Sequence, residues 1–290
     1  MKIAITGGKG GTGKSTVATA LAVELAKKNK VLLIDADADC PNDHLILSIK
    51  RKKVKDVFQL IPKWDFKKCI KCGKCSFVCK QHAIVFVKGN YPIFIPEQCN
   101  GCKACMFTCP TNAIGKDKKK VGSIYYGKKG NLSFVSGELE PNQPSSEMVI
   151  SAVNDYVGKI KEKYDFIIID TAAGTHCDVI SALEKCNFAF AVTEPTPLGE
   201  HDLELILKLL RILKIPYNII LNKADVGDKT LIEKTAKKFK TKIIAEIPYK
   251  KSIQKAYSNG EPIKNENINK IIKFLKNGKR NWNWGIEKRI

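Results

Sequence analysis

Short apolar runs recur along this chain, separated by segments whose apolar residues return every three to four positions. Runs at 2–6, 31–34, 166–169, 188–192, 217–221 and 242–247 predict buried β-strands. Helical periodicity is clearest at 199–213, where Leu203, Ile206, Leu207 and Leu210 share a face. A helix is also predicted at 15–28, directly after a glycine-rich loop. Short apolar strands that alternate with helices predict an α/β fold, a parallel sheet with helices on both faces.

One segment breaks this alternation. A lysine-rich stretch at 50–55 leads into it and another at 116–120 leads out. Residues 122–139 then read as a hairpin with turn residues at 127–131, and the α/β pattern resumes from Pro144. The expected organisation is one α/β domain formed by 1–59 and 119–290, with residues 60–118 inserted after the second strand.

The inserted segment holds eight of the chain's 11 cysteines. Cys69, Cys72, Cys75 and Cys79 have the spacing C-x2-C-x2-C-x3-C, and Cys99, Cys102, Cys105 and Cys109 repeat it 30 residues later. Four thiolates so spaced can wrap a cubane iron–sulfur cluster. The repeat extends to Ala83-Ile84 and Ala113-Ile114, which implies one pseudo-symmetric module. Two Zn(Cys)4 sites are the alternative, since C-x2-C also suits zinc. Cys40, Cys177 and Cys186 fall outside the pattern and are expected to be buried free thiols rather than ligands of a cluster bridging a dimer.

The glycine-rich loop reads Gly8-Lys9-Gly10-Gly11-Thr12-Gly13-Lys14-Ser15, followed by Thr16. Between a strand and a helix, G-x4-G-K-[ST] is a phosphate-binding loop. Its backbone N–H groups turn inward on phosphate oxygens and the helix N-terminus adds a positive dipole end. Lys14 is placed to reach the β- and γ-phosphates and the Ser15 hydroxyl to bind Mg²⁺.

With the second lysine, Lys9, this loop resembles the deviant Walker A ATPases, a family that includes division-site and partition ATPases, the nitrogenase iron protein and Mrp-type iron–sulfur carriers. The resemblance covers most of 1–49 and 144–275 and implies several roles. Lys9 would reach the partner's nucleotide across a homodimer. Asp37, in Val31-Leu-Leu-Ile-Asp35-Ala-Asp37, would orient the attacking water. Asp170, in Phe166-Ile-Ile-Ile-Asp170-Thr-Ala-Ala-Gly174, would hold Mg²⁺ through water, and Gly174 would sense the γ-phosphate. Asn222 would contact adenine, and Pro248 would start the loop over the base. Asn222-Lys223-Ala224-Asp225 also spells N-K-x-D, the guanine signature of Ras-like GTPases, so GTP stands as the alternative to ATP.

The cysteine runs resemble bacterial two-cluster ferredoxins, which implies an inserted α+β domain in which the fourth cysteine of each run ligates the other cluster. That implies two [4Fe-4S] clusters, one on Cys69, Cys72, Cys75 and Cys109, the other on Cys99, Cys102, Cys105 and Cys79. Pro110 follows Cys109 as the pattern expects, whereas Lys80 stands in the corresponding place after Cys79. The whole chain resembles MinD-superfamily ATPases with an inserted ferredoxin domain.

Composition adds bounds. The chain has 290 residues, 44% of them hydrophobic, enough for a large domain and a small one. It has no run of 18 apolar residues, and its start reads as a strand rather than a signal peptide, so the expected location is cytoplasmic. The formal charge of +21 suits acidic partners. Three functions are in play. The first is ATP-gated electron transfer to an acidic redox protein. The second is cluster delivery to an apo-iron–sulfur protein. The third is a positioning ATPase on nucleic acid or anionic membrane, motivated by the tail Lys279-Arg280-Asn281-Trp282-Asn283-Trp284.

Overall fold

The chain opens with β1 (Lys2–Thr6), the glycine-rich loop, α1 (Lys14–Ala26), β2 (Val31–Ala36) and α2 (Asp43–Ile46). A 14-residue strand, β3 (Arg51–Trp64), leads into the cysteine segment, which holds α3 (Lys74–Phe77), β4 (Ile84–Val85), β5 (Ile93–Phe94) and α4 (Ala104–Thr108). The chain returns through β6 (Ile114–Lys129) and β7 (Leu132–Leu139). Then follow α5 (Glu147–Lys159), β8 (Phe166–Thr171), α6 (Cys177–Leu183), β9 (Phe188–Thr193) and α7 (Pro197–Ile212). The last elements are β10 (Tyr217–Asn222), α8 (Thr230–Lys238), β11 (Ile243–Ile247), α9 (Lys251–Ser258) and α10 (Glu266–Asn281). This computed structural model describes residues 1–143, 146–160, 162–261 and 266–281, with side chains except at 254, 257 and 278–281. The basic tail at 279–284 thus lies outside the described side chains, and from Trp282 on outside the described residues.

The main sheet has nine strands in the order β11-β10-β9-β1-β8-β2-β7-β6-β3. From β11 to β7 every pair is parallel; β6 and then β3 extend the edge by antiparallel pairing. The parallel strands are almost wholly apolar because both faces are covered. On one face α1 and α10 bury Leu21, Leu25, Ile271 and Leu275 against Ile3, Leu33 and Phe190. On the other, α6, α7 and α8 bury Val179, Leu203, Leu207 and Ile232 against Ala189 and Ile219. A neighbouring cluster sets Val149 and Val153 of α5 against Ile34, Ile124 and Val135.

The hairpin turns at Gly130 and Asn131, and its second strand lies parallel beside β2, which makes it part of the α/β sheet. All of the lysine-rich stretch at 50–55 but Lys50 lies within β3, paired with β6 from Arg51↔Gly127 to Trp64↔Ile114. Residues 59/60 and 118/119 therefore fall inside a continuous ribbon rather than in linkers. Exposed Lys52, Lys53 and Lys55 along this edge strand oppose pairing with another sheet.

At the ribbon's end the cysteine segment has little core of its own. Between residues 65 and 113 its buried apolar side chains are Ala83, Ile84, Pro92, Cys105 and Ala113. Trp64 and Phe94 meet at 5.4 Å between centroids with their rings tilted by 46°, and both pack against the cluster that holds Ile84 and Cys105. A core that small needs a covalent or metal staple.

Candidate functional site

The carboxyl ends of parallel strands share one edge of the sheet, and the chemistry-bearing residues gather there. The phosphate-binding loop follows β1, Asp37 follows β2, and Asp170 lies in β8. Glu194 follows β9, Asn222 ends β10 and Pro248 follows β11. A cleft of about 670 Å³ opens among them, lined by Gly10, Gly11, Lys14, Ser15, Asp37 and Asn222, with Gly13, Thr16 and Pro248 also on its wall.

The loop is shaped to receive an anion. Gly11 and Gly13 adopt φ of +79° and +91°, which L side chains rarely tolerate. A Cβ at Gly11 would meet nothing within 4 Å, so the backbone conformation rather than crowding calls for glycine there. At Gly13 a Cβ would come within 2.2 Å of the Asn222 amide, which donates to Thr12 O at 2.8 Å. Gly8 is closed in by the Asp202 backbone, and Thr12 is buried. The Lys14 ammonium donates to Lys9 O at 3.1 Å, and burial pulls its pKa down against the attraction of Asp170 and Asp37.

Carboxylates crowd the cleft floor. Burial pushes Asp170 up to about 7, although a hydrogen bond from Ser15 and the charge of Lys14 oppose the rise. Asp170 Oδ1 is buried with no hydrogen-bond partner. That orphaned oxygen beside the Ser15 hydroxyl fits a hard divalent cation, whose charge would remove the penalty. Asp37 accepts from Cys40 N at 3.3 Å, and burial raises its pKa. Asp35 accepts from the N–H groups of Asp37 and Asp43 at 3.2 and 3.1 Å. Gly174, at φ +97°, donates to Gly7 O at 3.2 Å and ties the loop after β8 to the phosphate-binding loop.

Two residues were missed by the sequence reading. Asp43 is fully buried with both carboxyl oxygens unpartnered, and burial with nearby Asp170 and Asp35 drives its pKa well up. Its only local signal was an acidic residue at a helix start. Glu194 accepts from Lys9 Nζ at 2.5 Å and from Lys223 Nζ at 2.9 Å. Burial pushes Glu194 up, but the two lysines outweigh it and hold the carboxyl below its usual range. Lys223 also donates to Gly11 O at 3.1 Å, while Asp225 accepts from Tyr249 N at 2.6 Å. The N-K-x-D residues are thus engaged within the fold.

In the cysteine segment two small cavities open. Cys69, Cys72, Cys75 and Cys109 line one; Cys79, Cys99, Cys102 and Cys105 line the other. Each draws three cysteines from one run and the fourth from the other. The backbone repeats as well. Lys71, Gly73 and His82 in the first run have positive φ, and so do Gly101, Lys103 and Asn112 at the equivalent places in the second. Holding non-glycine residues there costs about 1 kcal/mol each, and the tight wrapping around each cavity maintains them. Gly101 N donates to Cys99 Sγ at 3.4 Å and Ala113 N to Cys109 Sγ at 3.2 Å. Burial, with Cys99 and Cys102 nearby, drives Cys105 up to about 11, so four thiolates here require a positive centre. A cavity ringed by sulfur, with N–H groups aimed at the thiolates, fits an iron–sulfur cluster. Among the described residues no His, Cys, Asp or Glu group is drawn together as a mononuclear metal site.

Cys40 and Cys177 are exposed, which corrects the expectation that the three remaining cysteines are buried. Both lie where the chain leaves the sheet edge, after Asp37 and at the start of α6. Cys186 is the inward one, its thiol pushed up to about 12 by burial. Among the described residues, no helix is long and apolar enough to cross a membrane.

Residues 3–263 match the family model for the CobQ/CobB/MinD/ParA nucleotide-binding domain. An uncharacterized protein of Methanocaldococcus jannaschii is 35% identical over 262 residues, covering 90% of each chain. An uncharacterized ferredoxin of the same organism is 43% identical over 63 residues, covering 19% of this chain and 82% of that protein. Among solved structures, the septum site-determining protein MinD of Pyrococcus horikoshii, complexed with Mg-ADP, shares the fold. It superposes with a TM-score of 0.58 at 20% identity, over 100% of this chain and 99% of that one.

Proposed function

Because this chain belongs to the CobQ/CobB/MinD/ParA nucleotide-binding domain family, we propose that it is an ATP-binding iron–sulfur protein that couples ATP hydrolysis to electron transfer. The observation that carries the reading is the ribbon: two four-cysteine cavities stand at the end of strands that belong to the nucleotide-binding sheet. The likeness of the cysteine segment to a ferredoxin supports two [4Fe-4S] clusters there. When bound, such clusters supply one-electron storage.

The chain's residues then divide the work. Backbone N–H groups of 10–15 cradle phosphate oxygens, and Lys14 leaves Lys9 O to meet the β- and γ-phosphates. Ser15 and Asp170 hold Mg²⁺, and Asp37 orients the attacking water. Asn222 and Pro248 bracket the base on the cleft wall. The Tyr249 N–H occupies Asp225 Oδ1, one of the two oxygens a guanine reader uses, which supports ATP over GTP. Lys9 acts across a homodimer after leaving Glu194.

A physical route joins the two parts. Ala38, next to Asp37, accepts from Leu139 N at 2.9 Å. Leu139 ends β7 and pairs with Gly122 of β6, the strand that runs back to the cysteine cavities. A shift at Asp37 on hydrolysis would therefore pull on the ribbon. The test is anaerobic purification, with iron and sulfide quantified and EPR recorded with and without ATP. Reduction of an acceptor is expected to require hydrolysable ATP; equal rates with a non-hydrolysable analogue would refute the coupling.

A further inference from the structure

The cysteine runs carry a second repeat that ligation leaves unexplained. Phe77 stands two residues after Cys75 and two before Cys79; Phe107 stands two after Cys105 and two before Cys109. They are 90% and 86% exposed, the most exposed large apolar side chains among the described residues. They lie in α3 and α4, which pack against each other. Neither ring contributes to the small core beneath. One exposed phenylalanine is ordinary, but two at equivalent repeat positions suggest a surface kept for contact. In sequence each phenylalanine also stands between a cysteine of one cavity and a cysteine of the other.

The surroundings are basic. Lys74 opens α3 and Lys103 caps α4; both are exposed, as is Lys80 just beyond Cys79. From 66 to 115 there are seven lysines and one acidic residue, Glu97. Cluster charge would lie behind this face, while the ammonium groups lie at its surface. We propose that the α3–α4 face docks an acidic redox protein, with Phe77 and Phe107 as apolar anchors and Lys74 and Lys103 as steering charges. The proposal rests on the iron–sulfur reading above and names the partner's chemistry. Complementary charge speeds encounter, and a desolvated aromatic anchor slows release. A second copy of this chain would bring like charge to the face. An anionic membrane would meet lysines too, but helices of four and five residues lack the continuous apolar face that an interfacial helix buries.

The test uses the full chain purified anaerobically, with iron and sulfide measured first. An acidic [2Fe-2S] ferredoxin is titrated at low salt and at about 0.2 M salt. The probe is expected to bind at low salt and to weaken with salt. The Phe77→Ala/Phe107→Ala pair and the Lys74→Glu/Lys103→Glu pair are each expected to bind about tenfold or more weakly. Their iron content and melting temperature should stay unchanged, because these side chains are exposed. No binding by the wild type at low salt, or equal binding by wild type and both pairs, overturns the proposal. So does equal binding of basic cytochrome c, or loss in both pairs only of binding to phosphatidylglycerol vesicles. Absence of iron and sulfide from the wild type would instead refute the cluster reading, while the titration would still judge the face.

Discussion

Lys9 is tethered within its own chain: its ammonium meets Glu194 Oε1 at 2.5 Å, although 185 residues separate them. The same carboxylate holds Lys223 through Oε2 at 2.9 Å. If Lys9 acts on the nucleotide of a second copy, this bond must break first. Glu194 is then a brake on association.

Glu194→Ala is expected to strengthen ATP-dependent self-association by roughly three- to tenfold, since an ion pair of this kind contributes about 1 kcal/mol. Light scattering with and without ATP reads this. The pH dependence has a definite sign. A carboxyl held below its usual range contributes stability above about pH 4.3, lost as pH falls through the depressed value. The tether is therefore complete at neutral pH, and the variant should differ from wild type there and converge with it in acid. Unchanged self-association at pH 7 would show that Glu194 does not restrain Lys9.

Asp170→Asn removes a buried carboxyl whose Oδ1 has no partner. Without Mg²⁺ the variant should be more stable by about 1–3 kcal/mol, read by thermal melting. With Mg²⁺ it should hydrolyse ATP at least about a hundredfold more slowly. A variant that keeps Mg²⁺-dependent hydrolysis would remove Asp170 from the cation site.

Asp43 makes a contrast. Its carboxyl is equally buried and both oxygens lack partners. Asp43→Asn is expected to stabilise the protein by a similar amount, about 1–3 kcal/mol, while leaving Mg²⁺-dependent hydrolysis within about threefold of wild type. Loss of hydrolysis would instead make Asp43 part of the site.

The crossed arrangement of cysteines separates neighbours in sequence. Cys109→Ser should behave like Cys72→Ser, because both line the same cavity, and each should lower iron and sulfide by about half. Cys79→Ser should pair with Cys102→Ser. EPR of the remaining cluster, compared across the four variants, identifies the pairs. A match of Cys109→Ser with Cys102→Ser would disprove the crossing.

Iron removal should loosen one part of the chain. With so few buried apolar side chains between 65 and 113, the cysteine segment is expected to depend on bound clusters for its order. Chelation under anaerobic conditions is expected to speed proteolysis within 65–113 by tenfold or more while the α/β sheet stays protected. Equal protection of both regions after chelation would show that the segment folds without metal.

Contiguous features were legible in the sequence. The phosphate-binding loop is eight consecutive residues between an apolar run and a helix, and the cysteine spacing dictates its own repeat. The apolar strands of the parallel sheet were readable because most of their side chains are buried, whereas β7, parallel to β2 but carrying Ser133, Ser136 and Glu138, read only as half of a hairpin. The 14-residue β3 was not, because its lysines carry no apolar pattern and its order comes from backbone pairing with β6. The second strand, read as ending at Asp35, runs on to Ala36.

The sequence by itself determined which groups this protein brings to chemistry, since a run of adjacent amides and a set of closely spaced cysteines are local properties of the chain. Only the tertiary structure decided what those groups face. Glu194 under Lys9, the burial of Asp43, the place of β7 beside β2 and the exposure of Phe77 and Phe107 all depend on residues far apart in the chain. Their contacts come from packing a shared core, which no local pattern encodes.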